Sequence, residues 1–155
     1  MKGDQRVIDC LNDLLAEELT AVNQYMVHSE MCDNWGYDKL HEVDEKRAIV
    51  EMRHAEKLIG RILFLEGKPI VSNLKTITIG AEVPAQHQND LALEIGAVKS
   101  YNAGIKVADA AGDNGTREML DDILEDEEGH VDFLEAQLDQ IQQMGLQVYL
   151  GQQID

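Results

Sequence analysis

Hydrophobic positions recur along most of the chain at spacings of three and four, the period of helices with one buried face. From about Asp4 to Asn34 the apolar stripe reads Leu11, Leu15, Leu19, Val22 and Met26, and Asn34-Trp35-Gly36 closes it. A second helix is expected from about Lys39 to Leu65 on Leu40, Val43, Leu58, Ile62 and Leu65, stopped by Glu66-Gly67-Lys68-Pro69. Residues 67–83 break the pattern. They are rich in Thr, Ile, Val and Gly and bracketed by Pro69 and Pro84, which predicts a long crossover with an extended piece at Thr76–Ile79. A third helix runs from near Pro84 to about Ala111, and Gly112-Asp113-Asn114-Gly115 makes a tight turn. Thr116 or Asn114 then caps a fourth helix to about Met144, Gly145 ends it, and Leu146–Gln153 suits a short terminal helix. Two hairpins of long helices joined by one long connection predict an all-α four-helix bundle in which helices 2 and 3 run parallel, with a short fifth C-terminal helix.

At 155 residues the chain is the size of a single domain, 1–155, able to bury a core without staples. Two prolines and 5% aromatics agree with helices rather than many short strands. Acids outnumber bases 30 to 13, for a net charge of -17. That charge disfavours nucleic acid and anionic membrane surfaces, both of which need a basic face. No apolar run reaches the length of a spanning helix, and the N-terminus lacks a leader pattern, so a cytoplasmic location is expected. Cys10 and Cys32 form neither a C-x-x-C pair nor a zinc spacing and are expected to be reduced thiols.

The informative positions are acids inside the apolar stripes. Glu18 lies among Leu11, Leu14, Val22 and Tyr25. Glu51 and His54 interrupt Leu40, Val43 and Leu58, Glu94 falls between Leu91 and Val98, and Glu127 and His130 between Ile123 and Leu134. Four carboxylates in one dry core need compensating positive charge. Two divalent cations supply it, with imidazoles as neutral ligands suited to iron. Glu18 to Glu51 is 33 residues and Glu94 to Glu127 is also 33; adding 76 to Glu18, Glu51 and His54 gives Glu94, Glu127 and His130. Two helix pairs thus carry the same ligand triplet. Tyr25, seven residues after Glu18 on the same face, could bond a ligand carboxylate, donate an electron, or simply be a core tyrosine.

These ligands, together with Met1-Lys2-Gly3-Asp4, Asn23-Gln24-Tyr25, Asn34-Trp35-Gly36, Glu51-Met52-Arg53-His54-Ala55, Arg61-Ile62-Leu63-Phe64-Leu65-Glu66-Gly67, Asp126-Glu127-Glu128-Gly129-His130 and Met144-Gly145-Leu146, make the whole chain resemble the bacterioferritins. The resemblance implies a ferritin-like bundle assembled from twofold dimers into a hollow shell of about twenty-four copies. It implies a ferroxidase that oxidises Fe²⁺ with O₂ or H₂O₂ at an intrasubunit di-iron centre and stores the ferric mineral. Glu18, Glu51, His54, Glu94, Glu127 and His130 would be the ligands, with Glu51 and Glu127 bridging. Met52 would bind haem b, shared with a second subunit's methionine, as a route for electrons from a ferredoxin-type reductant.

Departures accompany the resemblance. Relatives often carry Tyr, His and Asp among positions 45, 46 and 50, where this chain has Glu45, Lys46 and Val50; that weakens the case for an inner-surface iron site. Lys68 replaces a commonly apolar residue and weakens the usual ferredoxin docking. His28, His41 and His87 show no partner pattern and are expected at the surface or an interface. Competing readings are a haem-carrying or structural shell subunit, which the intact ligand set disfavours, and a di-iron peroxide reductase of the rubrerythrin type, which lacks its C-x-x-C pairs. A DNA-protecting mini-ferritin, with its site between subunits and often a basic tail, fits no better.

Overall fold

The computed structural model describes residues 1–155. Five helices follow in order: α1 Gln5–Trp35, α2 Asp38–Phe64, α3 Val83–Ala110, α4 Asn114–Met144 and α5 Leu146–Gly151. No strand interrupts them. The 31 residues of α1 or α4 span roughly 46 Å at about 1.5 Å per residue. No helix is long and apolar enough to cross a membrane.

The helix boundaries have local causes. Asp4 caps α1 by accepting the Arg6 N–H at 2.8 Å, and Gly36, at φ 80°, turns the chain into the left-handed region that ends it. The cap of α4 is Asp113, not Thr116 or Asn114. Its Oδ1 accepts the Thr116 N–H at 3.0 Å, while the Thr116 hydroxyl turns back to Oδ2 at 2.6 Å. Arg61 of α2 closes this corner, bonding Asp113 at 2.7 Å and Thr116 at 2.8 Å. The stop after α2 places Glu66, not Gly67, in the left-handed region at φ 61°. Gly67 is needed for closeness instead: a Cβ there would stand 2.7 Å from Ile8.

Each hairpin, α1–α2 and α3–α4, packs tightly within itself, and the hairpins meet chiefly along α1 and α3. Leu11, Leu15, Leu58, Ile62, Tyr101, Leu120 and Ile123 build the main core toward one end. At the other end α5 seats Tyr149 among Cys32, Leu40 and Val83. Met26 does not belong to the core. It is 39% exposed, because the inward line at that level passes through Ala21, Tyr25 and His28, about 100° away.

The crossover holds no extended strand at Thr76–Ile79. Its backbone is tied to a polar ladder on α1. The N–H groups of Lys75, Thr78 and Gly80 donate to Thr20 Oγ1 at 2.8 Å, Gln24 Oε1 at 3.1 Å and His28 Nε2 at 3.0 Å. Side-chain acceptors four residues apart replace the sheet partner that the composition suggested. His28 is therefore buried, and His87 is buried too, contrary to the expectation of surface or interface positions. His28 Nδ1 donates to Asp90 at 3.0 Å, and His87 Nε2 donates to the Tyr149 hydroxyl at 2.9 Å. Burial pushes the His87 imidazole down to about 4, so it stays neutral. His41 is half-buried against Ser29.

Candidate metal centre

Glu18 on α1, Glu51 and His54 on α2, Glu94 on α3, and Glu127 and His130 on α4 are all buried and meet in the middle of the bundle. Their donor atoms form two groups. Glu18, Glu51, His54 and Glu127 make one; Glu51, Glu94, Glu127 and His130 make the other; within each, the ligand atoms lie within 4.8 Å of one another. Glu51 and Glu127 belong to both.

The two shared carboxylates divide their oxygens between the two histidines. His54 Nδ1 lies 2.9 Å from Glu127 Oε1, 3.1 Å from Glu51 Oε2 and 3.6 Å from Glu18 Oε2. His130 Nδ1 lies 2.9 Å from Glu51 Oε1, 3.2 Å from Glu94 Oε1 and 3.6 Å from Glu127 Oε2. The imidazoles face one another, 6.2 Å between centroids and 19° from parallel. Donors converging at these separations suit first-row divalent ions, whose bonds to nitrogen and carboxylate oxygen are about 2.1 Å. Glu18 Oε2 and Glu94 Oε2 are buried with no hydrogen-bond donor, and Glu51 Oε1 and Glu127 Oε1 meet only an imidazole nitrogen at 2.9 Å, out of line for a hydrogen bond. Buried, unpaired carboxylate oxygens are costly unless a cation takes them.

The electrostatics agree. Burial raises the Glu18 carboxyl, raises Glu51 with the Glu18 charge adding to it, raises Glu127, and lifts Glu94 well above the carboxylate range. Burial alone would lower His54, but Glu127, Glu18 and Glu51 outweigh it and raise the imidazole. Raised carboxyls of this kind favour protons, which divalent ions would have to displace.

Around these six residues are groups the sequence pattern only partly disclosed. The Tyr25 hydroxyl donates to Glu94 Oε1 at 2.6 Å, so Tyr25 serves the opposite half of the site from the Glu18 it follows in sequence. Tyr101, not singled out from sequence, donates to Glu18 Oε1. The signal was present: Tyr25 plus 76 is Tyr101. Asp126 accepts a hydrogen bond from His54 Nε2 at 2.9 Å, which leaves Nδ1 to face the centre. A cleft of about 560 Å³ between α1, α3 and the crossover reaches Glu18, Glu51 and Glu127, with Glu17 and Lys75 in its walls.

Met52 lies elsewhere. It is 44% exposed on α2, and Ile49, one turn earlier on the same face, is 48% exposed. An outward thioether beside an apolar neighbour fits a haem held against a second subunit.

Comparison with known proteins places this arrangement in context. The ferritin-like domain family matches residues 8–144. The bacterioferritin of Brucella melitensis is 42% identical over 149 residues, covering 96% of this chain and 92% of its own length. Those of Streptomyces coelicolor, 40% identical over all 155 residues and 93% of its length, and Mycolicibacterium paratuberculosis, 39% identical over 98% of this chain and 96% of its length, are similarly close.

Proposed function

From the premise that the chain belongs to the bacterioferritin family of ferritin-like proteins, we propose that it stores iron in a multisubunit shell and oxidises Fe²⁺ at the centre formed by Glu18, Glu51, His54, Glu94, Glu127 and His130. The observation that carries this reading is the pair of donor groups sharing Glu51 and Glu127. Iron is the substrate. Two Fe²⁺ enter, the four carboxylates balance their charge, and the histidines complete one subsite each. A carboxylate-rich shell favours Fe³⁺ over Fe²⁺. Neighbouring ferrous ions can give two electrons to one O₂, taken to H₂O₂ with two protons, or to one H₂O₂, taken to two waters with two protons. Either route avoids one-electron oxygen radicals.

The same reading makes the whole chain one domain, the shell a homo-oligomer of about twenty-four subunits, and the compartment cytoplasmic. Met52, with Ile49 beside it, would hold haem b between two subunits. When bound, haem supplies an electron path for reducing stored mineral. A ferredoxin-type protein is the proposed reductant, with Lys68 altering its docking surface.

The decisive experiment loads metal-free protein with Fe²⁺ anaerobically, then adds O₂, comparing wild type with His130→Ala. Rapid oxidation saturating near two Fe²⁺ per subunit, lost in the variant, is the expected result. Slow oxidation equal in both proteins would overturn the ferroxidase reading and favour a haem-carrying or structural subunit.

A further inference from the structure

The 76-residue offset that relates the two ligand triplets extends to the phenols. Tyr25 follows Glu18 by seven residues, and Tyr101 follows Glu94 by seven. The hydrogen bonds cross over: Tyr25 on α1 donates to Glu94 on α3, and Tyr101 on α3 donates to Glu18 on α1. Both rings are buried. Each phenol donates to the Oε1 atom of one of these glutamates, an atom that in Glu94 also lies 3.2 Å from His130 Nδ1, and in both glutamates the other oxygen, Oε2, is buried without a donor.

We propose that Tyr101 is a positioning residue of the centre, the counterpart of Tyr25, and that each phenol fixes one non-bridging glutamate so that a single oxygen points at the metal. The proposal rests on the two-metal reading of the site. Its physical basis is directional. A carboxylate free to rotate presents either oxygen or both, whereas one whose Oε1 is held by an O–H donor offers Oε2 alone. Groups that orient metal ligands in this way typically change affinity by about tenfold to a hundredfold when removed. Tyr101 also spans two jobs, since its ring packs in the main core with Leu14, Leu120 and Ile123 while its hydroxyl reaches the centre. Replacement by phenylalanine separates them, keeping the ring and removing the hydroxyl.

The test is titration of the metal-free assembled protein with Co²⁺, followed by its visible absorption. Wild type should bind two Co²⁺ per subunit. Tyr101→Phe should weaken one of the two steps by about tenfold and leave the other, and Tyr25→Phe/Tyr101→Phe should weaken both. Tyr149→Phe is the control for a purely structural tyrosine, because its hydroxyl bonds His87 and Gln137 away from the centre; it should change neither step. Wild-type Co²⁺ affinities in Tyr101→Phe, with only a lowered melting temperature, would overturn the positioning role and leave the two-metal reading standing. Failure of wild type to bind two Co²⁺ would overturn both. Should Tyr101→Phe not assemble, Zn²⁺ loading of Tyr25→Phe gives a second readout. A residual near-ultraviolet tyrosine difference band supports the proposal, and its absence overturns it.

Discussion

The His54 and His130 halves of the centre have the same first layer and different second layers. Each imidazole meets one oxygen of Glu51, one of Glu127 and one non-bridging glutamate, and each of those glutamates receives one phenol. Behind His54 stands Asp126, which crosses from α4 to bond Nε2. The position on α2 that bears the same relation to His130 is residue 50, since 126 minus 76 is 50, and it is Val50. No protein group bonds His130 Nε2. One histidine is braced on both ring nitrogens and the other on one. The inner six residues are set by charge: four buried carboxylates need compensating positive charge, which leaves little room for asymmetry. The second layer only orients, so it can differ between halves, and the difference bears on which ion is held more firmly.

The largest effect should come from removing what the halves share. Glu127→Ala takes one oxygen from each histidine's surroundings and one of four compensating charges. Both metal steps should weaken together, with the rate of Fe²⁺ oxidation falling by a hundredfold or more, about 2.8 kcal/mol at about 1.4 kcal/mol per tenfold. Stopped-flow absorbance and Co²⁺ titration would check it. Loss of one step alone would mean that Glu127 is not a bridge.

Asp126→Ala should act on one half only. Removing the partner of a metal-bound histidine commonly costs about tenfold to a hundredfold in affinity. The His54 step should weaken by that amount while the His130 step stays, and Asp126→Asn should be intermediate, because an amide oxygen still accepts from Nε2. Equal weakening of both steps would remove the asymmetry from the argument.

How far the sequence disclosed this centre depends on where each partner lies. The convergence of the six buried acids and histidines was legible, because each interrupts an apolar stripe with a polar group that the core cannot hold alone. The helices were legible to within a residue or two from their stops at Gly36, Gly112 and Gly145. His28 and His87 were not, because their partners Asp90 and Tyr149 lie 62 residues away in both cases, beyond any local spacing. Met26 misled because three- and four-residue steps accumulate an angular error along a long helix. The crossover misled because its β-branched composition suggested pairing, and the acceptors are side chains of α1. Tyr101 was concealed among the core apolars; only the offset from Tyr25 distinguishes it.

The carboxylates supply a prediction about pH. Glu18, Glu51, Glu94 and Glu127 are raised by burial, so the metal-free fold binds more protons at these positions than the unfolded chain. Stability of the metal-free protein should therefore fall as pH rises above the ordinary carboxylate range toward the raised values. Its melting temperature should drop by several degrees between about pH 6 and pH 8, and Zn²⁺ should reverse the drop. For binding the sign is opposite: ions must displace protons, so affinity should rise with pH, with on the order of one or more protons released per ion. Calorimetry in buffers of different ionisation enthalpy would count them. Removing Asp126 should leave that count unchanged, since it orients His54 without being a donor to the metal.

The smallest effect tests the comparison most directly. Val50→Asp places a carboxylate on α2 where Asp126 stands on α4 and offers His130 Nε2 the partner it lacks. Val50 is half-buried, so the new side chain can keep contact with water and needs no buried charge. The His130 step should strengthen by a few-fold and the His54 step should not move, bringing the two affinities closer together. In Val50→Asp/Asp126→Ala the order of the two steps should reverse, because the braced histidine is then His130. Separate Co²⁺ isotherms for the four proteins form a cycle whose coupling should be small, since the two braces act on different imidazoles. A third Co²⁺ per subunit in Val50→Asp would show that the new carboxylate takes a metal of its own instead of orienting His130. The asymmetry would then belong to the outer surroundings of the centre and not to its second layer.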